Sequence, residues 1–246
     1  MVDEPIAKSP HRLRERAVNR VAVLTSGGLD SAVLVADLAR NADVFPLYVE
    51  FGLAWEAAEQ EALQTYLAAL GGRRFAPLAT LAVPVDGVYG RHWSLTGEDV
   101  PDYDASIDAD YLPGRNILLL GVAGVWCALH DVHRIALGSL MQNPYPDATP
   151  EFFADYGRLL SGALNHPIEV VAPYRGMEKS DLIRTHRELP LHLTLTCIGQ
   201  KAGASLDQGG PLGPLHCGAC LKCHERHEAF VEAGVSDRTR YAVTPA

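Results

Sequence analysis

An apolar run that breaks into two glycines constrains this chain more than any other feature. Val21-Ala-Val-Leu24 passes into Thr25-Ser-Gly-Gly-Leu-Asp-Ser31, and a second apolar run, Ala32-Val-Leu-Val-Ala-Asp-Leu-Ala39, follows at once. The order is buried strand, tight turn and helix, which aims the free N–H groups of a helix N-terminus at an anion. Gly27 and Gly28 admit positive φ and, lacking a Cβ, let a phosphate approach the backbone. Ser26 and Ser31 supply hydroxyls, and Asp30 stands where Mg²⁺ would bridge it to phosphate oxygens. No Gly-Lys-Ser/Thr closes the turn, so it is not a Walker A loop.

Strand and helix signals then alternate. Residues 43–49 read as a second strand, and 55–70 as a helix whose acidic first turn suits the helix dipole and whose stop signal is Gly71-Gly72. A third strand is expected over 78–85, a fourth over 133–138 and a fifth over 168–172. Between them fall helices at 117–130, opened by Leu112-Pro-Gly-Arg-Asn116, and at 149–164, where Thr149-Pro-Glu151 reads as N-cap and first turn. A further helix is expected over 177–189. The alternation predicts a doubly wound, mainly parallel five-stranded α/β sheet. Residues 84–113 show no periodicity, and a loop of that length inside a compact domain is usually functional. Gln142-Asn-Pro-Tyr-Pro-Asp147 is a proline-stiffened loop at the C-terminal end of a strand, where open α/β sheets hold ligands.

After Pro190 the pattern changes. Three thiols crowd into Cys217-x-x-Cys220-x-x-Cys223, Cys197 precedes them across a loop rich in Gly and Pro (203–214), and a last helix runs over 219–233. Four cysteines with short spacing point to a structural metal, Zn²⁺ on soft thiolates, with no open coordination position. His216, His224 or His227 is an alternative fourth ligand to Cys197, and the run also resembles iron–sulfur ligation. The fifth cysteine, Cys127, lies among Val, Trp and Leu and reads as a buried core thiol. Three units are expected: a partly disordered lead-in at 1–18, a main domain at 19–190 and a small zinc-binding module at 191–246.

Composition narrows the function. The 246 residues are 48% hydrophobic, enough for a full core, and the net charge of −9 argues against broad nucleic-acid binding. No apolar run approaches the roughly 20 residues of a membrane span, and the charged N-terminus lacks a signal-peptide core, so a cytoplasmic protein is expected.

The Ser26-Gly-Gly-Leu-Asp-Ser31 string resembles the pyrophosphate loop of the ATP pyrophosphatases, which split ATP to AMP and pyrophosphate while adenylating a substrate. Taken with Val100-Pro-Asp-Tyr103, Leu112-Pro-Gly-Arg-Asn116, Tyr145-Pro-Asp147, Leu195-Thr-Cys197 and Cys217, Cys220 and Cys223, residues 19–234 resemble the 7-cyano-7-deazaguanine synthase family. That resemblance implies an adenine nucleotide alpha-hydrolase-like fold, ATP, Mg²⁺ and structural Zn²⁺, a homodimer, and conversion of 7-carboxy-7-deazaguanine with ammonia to the nitrile. It implies that Ser26, Gly27, Gly28, Leu29, Asp30, Ser31 and Gly138 hold the nucleotide, and that Asp30, Ser31, Arg115 and Lys179 act on the triphosphate. Arg115, Asn116, Tyr145 and Asp147 would then contact the deazapurine acid. Two segments depart from the family pattern. Phe51-Gly-Leu-Ala-Trp55 replaces Tyr-Gly-Gln-Arg-His, and Asn143-Pro-Tyr-Pro-Asp-Ala-Thr149 replaces a loop ending in Cys-Arg. This is the pattern expected of a paralogue with an altered acceptor or amine donor, a protein among the possibilities. A tRNA-modifying enzyme is disfavoured by the acidic balance, and a non-catalytic nucleotide sensor would show no ATP turnover.

Overall fold

In a computed structural model that describes residues 20–71, 74–199 and 212–245, the expected strands form one parallel sheet. The expected lead-in at 1–18, Gly72 of the helix stop and most of the 203–214 loop lie outside the described residues. The strands are β1 (Arg20–Leu24), β2 (Asp43–Glu50), β3 (Ala79–Ala82), β4 (Arg134–Ala136) and β5 (Glu169–Val171), in the order β3-β2-β1-β4-β5. The register pairs Val21 with Val44 across β1 and β2, and Val23 with Ala136 across β1 and β4. The chain winds outward through β2 and β3, then returns to the other side of β1. The switch in winding therefore falls between β1 and β4, whose C-terminal ends open a crevice.

Helices cover both faces: α1 (Leu29–Leu38), α2 (Glu56–Leu70), the short α3 (Asp86–Tyr89) and α4 (Trp93–Thr96), α5 (Arg115–His130), α6 (Pro150–Leu164), α7 (Lys179–Thr185) and α8 (Leu221–Ala233). A two-stranded parallel pair, β6 (Leu215–His216) and β7 (Arg240–Tyr241), flanks α8. Strand alternation sorts the core. Val21 and Val23 join the layer with Val33, Tyr66, Leu182 and Phe230, whereas Ala22 and Leu24 join the layer with Leu120, Phe153 and Cys197. Cys127 is fully buried in the second layer, and burial pushes its thiol up to about 12, as a core cysteine requires.

Several element ends differ from expectation for local reasons. Strand β3 stops short of 85: Val83 donates to the Glu50 carbonyl at 2.8 Å and Val85 to that of Phe51 at 3.4 Å, but at Val85 the backbone leaves extended geometry (φ −115°, ψ 6°) to enter α3. Helix α7 spans only Lys179–Thr185, because His186 leaves helical geometry (φ −117°, ψ 28°) and the chain turns to bury Leu189 and Leu191. Helix α5 begins at Arg115, two residues before 117, because the Asp147 carboxylate accepts the Asn116 N–H at 2.9 Å and caps the new end. Thr149 caps α6 as expected, accepting from the Phe152 N–H at 3.1 Å.

Arg226 is the largest fully buried side chain of α8. Its guanidinium donates to Thr239 Oγ1 (2.8 Å), Thr194 Oγ1 (2.9 Å), Thr196 Oγ1 (3.3 Å) and the Leu191 carbonyl (2.8 Å), lacing the segment before Cys197 to α8. Arg226→Ala would strand these acceptors in the interior, each costing about 1–3 kcal/mol. A fall in unfolding free energy of roughly 3 kcal/mol or more is expected, read from the urea midpoint at unchanged slope.

Candidate functional site

The turn after β1 uses positive φ at one of its two glycines; Gly28 takes extended backbone (φ −70°, ψ 161°). Gly27 takes φ 75°, and a Cβ there would lie 2.6 Å from the Glu59 carbonyl oxygen, so glycine is required on two counts. The Ser31 hydroxyl donates to the Gly28 carbonyl (3.2 Å) and accepts from the Ser26 N–H (3.1 Å), while the two seryl Oγ atoms sit 3.3 Å apart. No side chain caps α1, so its first amides stay free for an anion. Leu29 is buried in the core and offers this site its backbone only. Gly138, after β4, presses on the turn: a Cβ there would be 3.0 Å from the Asp30 carbonyl carbon and the Ser31 nitrogen.

Around the turn lies a cavity of about 620 Å³. Lys179, the first residue of α7, stands between Asp30 (Nζ–Oδ2 3.8 Å) and Glu225 of α8 (3.7 Å). Asp30 Oδ1 is buried and has no partner among the described residues. Such an oxygen costs stability unless a cation or donor meets it, which fits a divalent ion at this carboxylate. Glu225 also receives Lys222 at 3.0 Å, and Lys222 bonds Asp110 at 2.6 Å. Arg115 opens α5 with its Nε buried and unpartnered, so its fork is uncommitted on that edge. Asp147 is less free than its loop position implied, since Asn116 donates to it from both backbone (2.9 Å) and side chain. Tyr145 donates to Asp110 and stacks on Tyr111 with ring centroids 4.6 Å apart, giving a flat aromatic wall.

Sequence reading missed four contributors. Arg175 donates to the carbonyls of Leu140 (2.6 Å), Met141 (2.7 Å), Asn143 (2.9 Å) and Ala148 (3.1 Å), so one guanidinium sets the path of the whole 140–148 loop. Glu56 accepts from the Phe51 (2.6 Å) and Gly52 (2.9 Å) amides and shapes the departing 51–55 segment. In that segment Trp55 stacks on Trp93 at 5.6 Å, lining the cavity with apolar surface. Glu59, buried at 9% exposure, accepts from the Tyr48 hydroxyl at 2.8 Å. Burial raises its carboxyl to about 8, opposed by Arg115. Lys222 was hidden between two candidate metal ligands.

The four cysteines converge as expected. Sγ separations are 3.5 Å for Cys220–Cys223, 3.8 Å for Cys217–Cys223 and 4.0 Å for Cys197–Cys220, and all four ligand atoms lie within 4.8 Å of one another. A tetrahedral ion with Zn–S near 2.3 Å needs sulfurs about 3.8 Å apart, so the set fits a tetrathiolate metal. No histidine substitutes. His216 accepts from the Thr196 N–H at 3.2 Å, while His224 and His227 face Glu228 and Asp237. The thiol cluster and the cavity share their walls. Leu195, two residues before Cys197, donates to the Gly27 carbonyl (2.9 Å), and Cys220 bridges to Asp102 of the long loop.

Fold and site together define a parallel α/β protein with a glycine-bearing strand-to-helix turn at its switch point and, beside it, four cysteines placed to hold a metal ion. The chain belongs to the QueC family: the family described as "Queuosine biosynthesis protein QueC" matches residues 20–234. Proteins named 7-cyano-7-deazaguanine synthase are similar over most of their length. That of Methanothrix thermoacetophila is 31% identical, covering 91% of this chain and 99% of that protein. That of Syntrophobacter fumaroxidans is 32% identical, covering 90% and 96%, and that of Halobacterium salinarum is 30% identical, covering 94% and 99%. Among the described residues no helix is long and apolar enough to cross a membrane.

Two substitutions probe this geometry. Cys220→Ser removes one of four soft ligands, so metal per chain should drop below half and the melting temperature should fall; retention of both would refute the metal site. Arg175→Ala frees four loop carbonyls, and proteolysis within 140–148 should accelerate about tenfold or more with little loss of global stability.

Proposed function

We propose that this chain uses ATP to activate 7-carboxy-7-deazaguanine and, with ammonia, converts it to 7-cyano-7-deazaguanine, releasing AMP and pyrophosphate. The observation that carries this reading is the single cavity in which the Ser26–Ser31 turn, Lys179, Arg115 and the Tyr111–Tyr145 wall meet, in a chain of this family. The α1 amides and the hydroxyls of Ser26 and Ser31 receive the phosphates that leave as pyrophosphate, and Lys179 neutralises charge beside them. Mg²⁺, held by Asp30, would supply further neutralisation of the triphosphate. Arg115 presents its fork to the substrate carboxylate or the α-phosphate, the two groups that must meet. The carboxylate oxygen attacks the α-phosphorus, giving the acyl-adenylate, and ammonia then displaces AMP to leave an amide. Adenylation of the amide oxygen, followed by loss of AMP, gives the nitrile. The deazapurine ring lies against the stacked tyrosines, with Asp147 accepting from its N–H edge through the lone pairs that Asn116 leaves open. Zn²⁺ on the four cysteines holds the walls and takes no chemical step.

A second reading keeps the activation and changes the amine. The apolar 51–55 segment, with Trp55 stacked on Trp93, favours it, since that wall suits a bulkier acceptor than ammonia, such as a protein amine. Incubation with the acid, ATP and ammonium, analysed by mass spectrometry, tests both. Nitrile with AMP supports the first reading, an amide or conjugate alone supports the second, and no AMP above background contradicts both. Asp30→Ala should lower AMP formation by roughly 10²-fold or more. Its melting temperature should hold or rise, because a poorly partnered buried oxygen is removed.

A further inference from the structure

We propose that the Glu59 carboxylate is the base that takes a proton from the incoming ammonium ion, an assignment that rests on the adenylation reading above. At neutral pH the amine arrives as ammonium, which has no lone pair, so one N–H bond must break before the C–N bond forms. A base inside the cavity, next to the activated carboxyl group, takes that proton where the amine is used.

The cavity carries several carboxylates, and their partners separate them. Asp30 faces Lys179, Glu225 faces Lys179 and Lys222, and Asp110 is bonded by Lys222 and by the Tyr145 hydroxyl. Glu56 holds the Phe51 and Gly52 amides, and Asp147 holds Asn116. Each of these carboxylates is already engaged by a lysine or by N–H or O–H donors. Glu228 and Glu232 are on the exposed rim. Glu59 differs in place. Its own carbonyl sits against Gly27, so α2 passes directly beneath the phosphate turn. Its carboxyl is buried, lines the cavity and is hydrogen-bonded by the Tyr48 hydroxyl, on Oε2, and by Trp55. The other titratable or charged groups facing it are Glu56 on its own helix and Arg115 from α5, with the Trp55 indole beside them. It thus stands between the turn that takes pyrophosphate and the arginine that takes the reacting carboxylate. Burial also raises its proton affinity to about 8, near the pH at which a base must both accept and release a proton.

Glu59 accepts one proton from ammonium; the freed lone pair attacks the acyl carbon and forms the C–N bond. The tetrahedral intermediate collapses by breaking the bond between the acyl carbon and the AMP oxygen, whose electron pair leaves with AMP. The second proton lost from nitrogen goes to that leaving phosphate, and Glu59 returns its own proton to water.

Glu59→Gln keeps the shape and the acceptor for Tyr48 while removing the base. The test compares three rates in the full-length, metal-loaded protein with 7-carboxy-7-deazaguanine: acid-dependent exchange of pyrophosphate into ATP, amide formation from ammonium, and hydroxamate formation from hydroxylamine, which is uncharged at neutral pH. The variant should lose about 10²-fold in the ammonium reaction at pH 7.5. The defect should shrink toward pH 9 as free ammonia rises, and the exchange and hydroxylamine reactions should be spared by at least about tenfold relative to it. An ammonium rate equal to that of the unaltered protein, or equal losses with both nucleophiles, would overturn the assignment. No exchange in the unaltered protein would instead overturn the adenylation reading, and the assignment with it.

Discussion

Four thiols from two distant stretches of chain must meet at tetrahedral spacing, and much of the cavity's shape follows from that meeting. Cys197 ends the segment whose Leu195 is bonded to Gly27 in the phosphate turn. Cys220 and Cys223 bound the first turn of α8, so the geometry that satisfies the sulfurs also aims Lys222 and Glu225 into the cavity. Cys220 additionally pins the long 84–113 loop through its bridge to Asp102. A metal bound by these thiols would fix the segment beside the Gly27 turn, the end of the long loop and a charged helix face together. Arg226, buried beneath, carries out the same coupling through neutral acceptors rather than through sulfur.

Charge inside the cavity is arranged as an alternating chain, Asp30–Lys179–Glu225–Lys222–Asp110, which ends on the hydroxyl of Tyr145. Each carboxylate is matched by a lysine, so the cavity carries many ions with few isolated charges, as burial demands. Arg115, whose Nε has no partner among the described residues, and Glu59, bonded by Tyr48 and Trp55, stand outside this chain. A buried donor without a partner is where a ligand gains most by binding, which singles out the Arg115 Nε.

The strand-turn-helix of residues 21–39, the parallel sheet and the four-thiol set were legible because each follows from short-range chemistry: periodicity, glycine and ligand spacing. Element ends were less so. The early start of α5 depends on Asp147, 31 residues away, and no local pattern encodes that cap. Glu59 was invisible for a subtler reason. At the head of a helix an acid that complements the dipole and an acid buried in a cavity look identical until Tyr48 is placed opposite. Arg175 reads as an ordinary loop arginine until the four carbonyls it holds are brought around it. Asp147, conversely, looked like a free base-reading acid and proves partly committed to Asn116.

If the thiol cluster organises the cavity, removing its metal must loosen residues that touch no sulfur. Amide hydrogen exchange, measured before and after chelation of the metal from the folded protein, reads this directly. Faster exchange at residues 26–31 and 195–198 together with 217–223 is the predicted result. Acceleration confined to 217–223, with the phosphate turn unchanged, would contradict it.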